Sequence, residues 1–502
     1  MARRSRKPQL RGSSANRPSR PEVDLGASFG GGFAVRLQPL AEFACLLALI
    51  LAVVRTAVAH WFILLYPYEA NFGEGGVLYD ALRLARGQPI YAPAETGQWI
   101  SPYPPLFAWL VSWWPTPTFF FPRLISQLAF LGSGVALAGI LRKMGLSWRA
   151  AIMAALFWYS NPYIRTFAAM GRVDTLGRFW ESLALLVGLT LAGSHGNRLA
   201  SGTLFALGMA TKQTMIAGPL TLLGYWWRES RRHALELVGT WLVFTIICYI
   251  IISIACGASF IPNVFFDIKR SLEWQSWWPW LLGFVLCNVP LLVLALWGLA
   301  KVPPEPITRF SCWAIVAGLP AVVLAAQDGA DVNYFFDVTW GLCAAAALGY
   351  EHLCKKKCMT NLAGLMLVAG GILFTDWSIP ARYPTAEQAR QAAEVHRILA
   401  AAPKPVISEF IGFGLLVGSD PPAIPYLDKK LEEGNRRSSA PLVKRLRNKE
   451  FGAVLVTSQA GGRWSPAVLQ ALEQSYDQQY VFPRMFASEG EPDFAIFVPK
   501  AP

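Results

Sequence analysis

Charge is what this chain of 502 residues has least of: 15% is Asp, Glu, Lys or Arg, against 54% apolar residues. Apolar runs near twenty residues recur, which excludes an ordinary soluble globule and marks a polytopic membrane protein. Cysteine is absent after Cys358, and all eight cysteines lie in or beside apolar segments, so no disulfide framework is indicated. Cys354 and Cys358 flank Lys355, Lys356 and Lys357; two thiols beside three cations fall short of a metal site. Of the five histidines, His195 and His233 fall in inner loops, and nothing marks either as a ligand.

Acidic residues are missing from the first twenty positions, which carry Arg3, Arg4, Arg6, Lys7, Arg11, Arg17 and Arg20. A formal net charge of +13 would suggest a nucleic-acid partner in a soluble protein. Here the cations gather in this tail and in short connections, a distribution that fits orientation and contact with anionic membrane lipids and argues against nucleic acid. No small-residue cleavage site follows the basic stretch, so residues 1–38 read as a disordered cytoplasmic tail rather than a signal peptide.

Placing the arginine tail inside orients the rest. Spans are expected at about residues 40–65, 122–141, 150–164, 175–193, 198–211, 213–227, 237–257, 277–299, 310–325, 335–350 and 358–376. These are about eleven crossings, with every strongly basic connection on the cytoplasmic side. The pair 198–211 and 213–227 is short and interrupted by TKQ, which predicts broken helices and places Lys212 against a cavity. Residues 377–502 have the composition of a soluble domain. A helix over 385–401, a strand at PVISEF, helix then strand in LVKRLRNKEFGAVLVTS, a helix in SPAVLQALEQSY and final strands at YVFP and DFAIFVP predict a small α/β domain. An odd number of crossings puts it outside the membrane.

The longest polar interruption, residues 66–121, contains Glu69, Glu74 and Asp80 and then GEGGVLYDALRLARG, whose apolar spacing predicts a helix lying on the membrane. Two readings of Glu69 and Glu74 stand: solvated loop residues, or one of them, Glu74 ahead of Glu69, pointing into a reaction cavity. The second outer loop supplies Arg165, Arg172 and Asp174; Arg172 and Asp174 form either a local ion pair or a site in which Arg172 meets a phosphate. Lys212, a charge inside an apolar stretch, needs a partner, water or an anionic head group. Tyr103, in SPYPPLFAWL, is either packing or a substrate contact, and Asn333 and Tyr334 of QDGADVNYFF sit where a pocket could be lined.

YEANFGEGGVLYDALRLARGQPIYAP with YPPL behind it, GRVDTLG, LGMATKQT and DVNYFFD, in this order, resemble the GT-C superfamily of polytopic glycosyltransferases. The likeness is to the family 39 type, bacterial relatives of the protein mannosyltransferases and lipid A aminoarabinose transferases, and covers roughly residues 60–376. It implies an inverting transfer of a sugar from a polyprenyl-phosphate carrier to a lipid, glycan or protein hydroxyl outside a bacterial inner membrane. Glu74 matches the acidic residue of the first outer loop; the Asp that often precedes it is absent, and Glu69 is the candidate second carboxylate. Asp174 matches the acid of the second outer loop and Lys212 the lysine of the TKQ-like turn. By this resemblance Glu74 acts as base, Arg172 and Lys212 stabilise the leaving phosphate, and Mg²⁺ or Mn²⁺ is the candidate helper ion, with no other cofactor indicated. A transporter or flippase of lipid-linked sugars shares the spans but predicts paired repeats in the two halves, and none is seen. A scaffold with a glycan-binding tail domain is the other alternative.

Overall fold

The computed structural model describes residues 27–190, 195–268, 270–303, 305–355, 357–422, 424–488 and 490–501. Helices occupy the expected places. Five of them are long and apolar enough to cross a membrane: Val35–Leu65, Phe120–Lys143, Arg231–Cys256, Pro306–Leu324 and Met359–Ser378. The span expected at 277–299 is instead a bent pair, Trp277–Cys287 and Val289–Lys301, meeting at 75°. Pro290 sits in the first turn of the second helix, where it ends one hydrogen-bond ladder and starts another. With that pair counted once, six segments among the described residues meet that length and apolarity.

The remaining bundle helices are shorter or more polar. Trp148–Ser160 and Ala217–Glu229 have 13 residues each and rise only about 20 Å, less than the roughly 30 Å hydrocarbon core of a bilayer. Val173–Thr190 carries Asp174, Arg178 and Glu181. Its polar face is possible because neighbouring helices, not lipid, surround it. Phe336–Lys355 is buried along nearly all its length and is the axis of the bundle, whereas Arg231–Cys256 keeps most of its surface outward, as a lipid-facing helix does.

Residues 27–38, expected in the basic tail, belong to the first helix, Ala27–Leu65; residues 1–26 lie outside the described set. The extension has a tertiary cause: buried Gln38 donates to the carbonyls of Leu353 (3.4 Å) and Cys354 (2.7 Å) at the end of the axial helix. No local pattern reports such a partner.

The soluble part forms a four-stranded sheet in the order β1-β2-β4-β3, with β1 Val406–Ser408, β2 Ala453–Thr457, β3 Tyr476–Phe482 and β4 Phe494–Pro499. β1 and β2 are parallel; β4 is antiparallel to both its neighbours. Its core residues Phe410, Leu455, Phe494 and Ile496 pack in one cluster with Ile63, Tyr66 and Ala70 at the end of the first span. The sheet therefore stands on the polar loops of the bundle: Arg436 pairs with Asp267 at 2.6 Å, and Tyr426 donates to the Asp328 carbonyl at 2.8 Å.

Val289–Lys301 and Phe336–Lys355 approach closely because glycines face each other. A Cβ added at Gly349 would lie 2.1 Å from the Leu294 carbonyl oxygen, and one at Gly298 would lie 2.5 Å from the Gly349 amide. Small residues permit such contact between helices in lipid. Gly349→Ala is expected to lower stability by about 1–3 kcal/mol through overpacking, whereas Gly370→Ala, with open space around its site, leaves the thermal midpoint in detergent unchanged. Equal midpoints for the two variants would refute the close approach.

Candidate functional site

The chain leaves the first span at Leu65, turns, and enters the helix Glu74–Ala85. The turn is local: Asn71 Oδ1 accepts from the Gly73 amide (3.1 Å), and the Asn71 carbonyl accepts from the Glu74 amide (2.9 Å). Glu74 thus begins a helix, where a negative charge is favourable.

Its carboxylate is fully enclosed. Oε1 accepts from Arg123 Nε (2.9 Å) and the Gly171 amide (2.6 Å); Oε2 accepts from Arg123 Nη2 (2.8 Å) and the Ala70 amide (2.9 Å). Both side chains are 0% exposed. Burial alone raises the Glu74 pKa, but the charge and hydrogen bonds of Arg123, with the two amides, outweigh it and hold the carboxyl below its ordinary range. Arg123 also donates to the carbonyls of Ile63 (2.8 Å) and Tyr68 (2.7 Å), so one guanidinium binds the end of the first span to the loop. Sequence reading passes over Arg123, although a charge three residues inside an apolar helix is the signal that singles out Lys212.

Glu69 is enclosed as well. It accepts from the amides of Gly75 (2.7 Å) and Gly412 (2.6 Å), the first turns of two helices, one in the loop and one in the tail domain. Neither Glu69 nor Glu74 lines a cavity. Where a carboxylate facing the cavity is expected, Glu69 oxygens meet backbone amides and Glu74 oxygens meet two amides and a guanidinium.

A cavity of about 410 Å³ lies between the bundle loops and the tail domain. Asp80, Tyr103, Arg172, Arg270 and Trp280 line it from below; Ile411, Tyr426 and Arg463 line it from the tail. Arg172 reaches Asn71 Oδ1 at 2.8 Å and the Tyr103 hydroxyl at 3.0 Å. It passes over Gly73 so closely that a Cβ there would lie 1.5 Å from its Nη1. Arg270, which sequence reading misses, donates to the Tyr334 hydroxyl at 3.3 Å. Asp80, 3% exposed, accepts from Trp99 Nε1 and Ser101 Oγ, both at 2.6 Å. Burial pushes its carboxyl up to about 7 despite these bonds.

Under the cavity wall, Lys212 pairs with Asp174 at 2.5 Å and lies 4.9 Å from the centre of the Tyr334 ring. Asn333 donates to the same Asp174 oxygen at 2.7 Å. Asp174 is thus ion-paired with Lys212 and lies within the field of Arg172, and Lys212 sits behind the lining through Tyr334 and Arg270 rather than in it. Below this pair, Arg178 bridges Asp337 (2.9 Å) and Glu181 (3.0 Å), a second buried charge group that sequence reading misses. Its signal is the spacing of Asp174, Arg178 and Glu181 along one helix face. Arg165 does not reach the cavity. It is buried against Asp376 and the Ile379 carbonyl, tying the second outer loop to the end of the last span. Among the described residues, no three His, Cys, Asp or Glu side chains converge to hold a metal ion.

No family model and no curated protein matches the sequence. Solved structures do. ArnT from Cupriavidus metallidurans, apo and bound to undecaprenyl phosphate, superposes with TM-scores of 0.56 and 0.55 at 15% identity, covering 89% of this chain and 97% of that one. The oligosaccharyltransferase of Archaeoglobus fulgidus, in complex with zinc and sulfate, gives 0.51 at 11% identity over 89% of this chain and 73% of that one. At such identities the likeness speaks for the backbone arrangement alone. The chain shares its backbone fold with ArnT and with the archaeal oligosaccharyltransferase.

Proposed function

We propose that this protein transfers a sugar from a polyprenyl-phosphate-linked donor to a hydroxyl acceptor in the cavity between bundle and tail domain. The observation that carries the reading is the meeting of Arg172 and Arg270 at one cavity whose floor is the membrane bundle. Two guanidiniums suit a lipid phosphate, because planar donors bind phosphate oxygens in pairs. The similar ArnT binds undecaprenyl phosphate, which supports a donor of that class. Isoprenoid methylenes lying against the apolar bundle would add about 0.8 kcal/mol each.

The chemistry is one displacement with inversion. The acceptor oxygen attacks the anomeric carbon, the bond to the phosphate oxygen breaks, and the leaving phosphate, already a weak base, needs no general acid. Arg172 and Arg270 stabilise the charge that develops on it, and the neutral Lys212–Asp174 pair holds Asn333 behind them. The tail domain covers the cavity, excludes water from it and offers Tyr426 and Arg463 to the acceptor. A site outside a bacterial inner membrane and a family 39 type assignment belong to the same reading.

With purified full-length protein in liposomes, a panel of undecaprenyl-phosphate-linked sugars labelled in the sugar, and a membrane-lipid extract as acceptor, label is expected to pass to acceptor. Arg172→Ala should slow this by about 10²-fold or more, as removal of a charge-stabilising donor does. Label crossing the bilayer while still attached to its carrier, with no transfer, would replace this reading by lipid transport. Glu74→Gln tests a separate point. It leaves Arg123 buried without its anion, a loss of about 3–5 kcal/mol, so a lower thermal midpoint is expected together with loss of both undecaprenyl-phosphate binding and transfer. A Glu74→Gln protein as stable as wild type, binding the lipid and deficient only in turnover, would restore Glu74 as the base.

A further inference from the structure

Three carboxylates line the cavity: Asp80, Asp328 and Asp331. Two of them have structural partners. Asp328 is ion-paired with Lys430 of the tail domain, and Asp331 Oδ1 accepts from the Val332 amide at 2.7 Å, capping the helical turn Val332–Phe335. Asp80 differs. Its two oxygens each take one hydrogen bond from a neutral donor, Trp99 Nε1 and Ser101 Oγ, so each keeps a further lone pair. Both donors come from the returning limb of the same loop and hold the carboxylate in one orientation at the cavity wall. Glu74 has no such spare capacity, because its oxygens take four hydrogen bonds, two of them from a guanidinium.

We propose that Asp80 is the group that accepts the proton of the attacking hydroxyl. This rests on the transfer reading above and replaces Glu74 in it. As the acceptor oxygen bonds to the anomeric carbon, its proton passes to an Asp80 oxygen, and the electron pair of the broken carbon–oxygen bond leaves on the polyprenyl phosphate. Charge and atoms balance without any further reactant. Glu69 and Glu74 then act as positioning residues that fix the helix carrying Asp80.

A base works best with a pKa near the working pH, and burial brings Asp80 to about 7, while Ser101, Trp99 and Arg83 on its own helix act in the opposite direction. Tyr91 of the loop also lies within its field, and the other charged and titratable groups around the cavity are Tyr103, Arg172, Arg270, Asp331, Asp328, Tyr426 and Arg463. The carboxylate must be ionised to accept a proton, so activity rises as pH rises through the Asp80 pKa and is flat above it.

The test measures kcat/KM for transfer from undecaprenyl-phosphate-linked sugars across roughly pH 5–9, a range that spans carboxyl and histidine titration. Wild type should show a rising limb near neutrality. Asp80→Asn should lose about 100-fold or more while still binding undecaprenyl phosphate. Ser101→Ala, which removes a hydrogen bond favouring the ionised form, should retain transfer and move the limb to higher pH. Transfer by Asp80→Asn at the wild-type rate, or a limb that stays in place in Ser101→Ala, would overturn the assignment and leave the transfer reading intact. A wild type that moves no sugar from any donor would overturn both.

Discussion

The buried pair of Glu74 and Arg123 is the constraint on which the polar half of this molecule depends. An isolated carboxylate or guanidinium costs several kcal/mol to take out of water. The two are tolerated at 0% exposure because every strong hydrogen-bonding direction of the carboxylate is filled and the guanidinium also closes carbonyls that the first span leaves open. The pair joins three things at once: the end of the first span, the start of the loop helix and, through the Gly171 amide, the second outer loop. Arg172 comes directly after that amide, so the position of one cavity arginine is set by the pair. Such a junction is a structural use of a carboxylate.

The tail domain is part of the site. Its sheet shares a hydrophobic cluster with the end of the first span, Glu69 holds the first turn of one of its helices, and seven of its residues complete the cavity wall. Ion pairs at its rim, such as Arg436 with Asp267, are partly solvated and contribute little each; the apolar cluster and the buried Glu69 contacts fix the placement. The cavity is thus walled on one side by the bundle loops and on the other by the tail domain.

Much of the architecture is legible in the residues. Apolar runs locate the helices, the TKQ interruption locates the break after Thr211, and the alternation in residues 385–499 locates the helices and strands of the tail. Hydropathy does not distinguish a helix that spans from a short one packed inside the bundle: Trp148–Ser160 and Ala217–Glu229 are apolar and 13 residues long. At the site, Arg172 and Tyr103 are marked by the sequence and do line the cavity; Asp174, Lys212, Asn333 and Tyr334 are marked as well and form one cluster behind it. Arg165 lies elsewhere, since a basic residue in an outer loop has the same local appearance whether it meets a ligand or a buried aspartate. Arg270 gives no signal at all, being an ordinary loop arginine until the fold brings it to Tyr334.

What the sequence determined by itself is everything governed by neighbours along the chain: the helical segments, the interfacial loop helix, the tail strands and the concentration of acids in one loop. Hydropathy and periodicity are local properties, and they survive reading in isolation. Which acid is enclosed and which faces the cavity was decided only by tertiary structure. Glu74 finds Arg123 at a separation of 49 residues and Glu69 finds the Gly412 amide at 343, while Asp80 meets only neutral donors. The reactivity of a carboxylate is set by its burial and by the charges around it, and those belong to the folded chain.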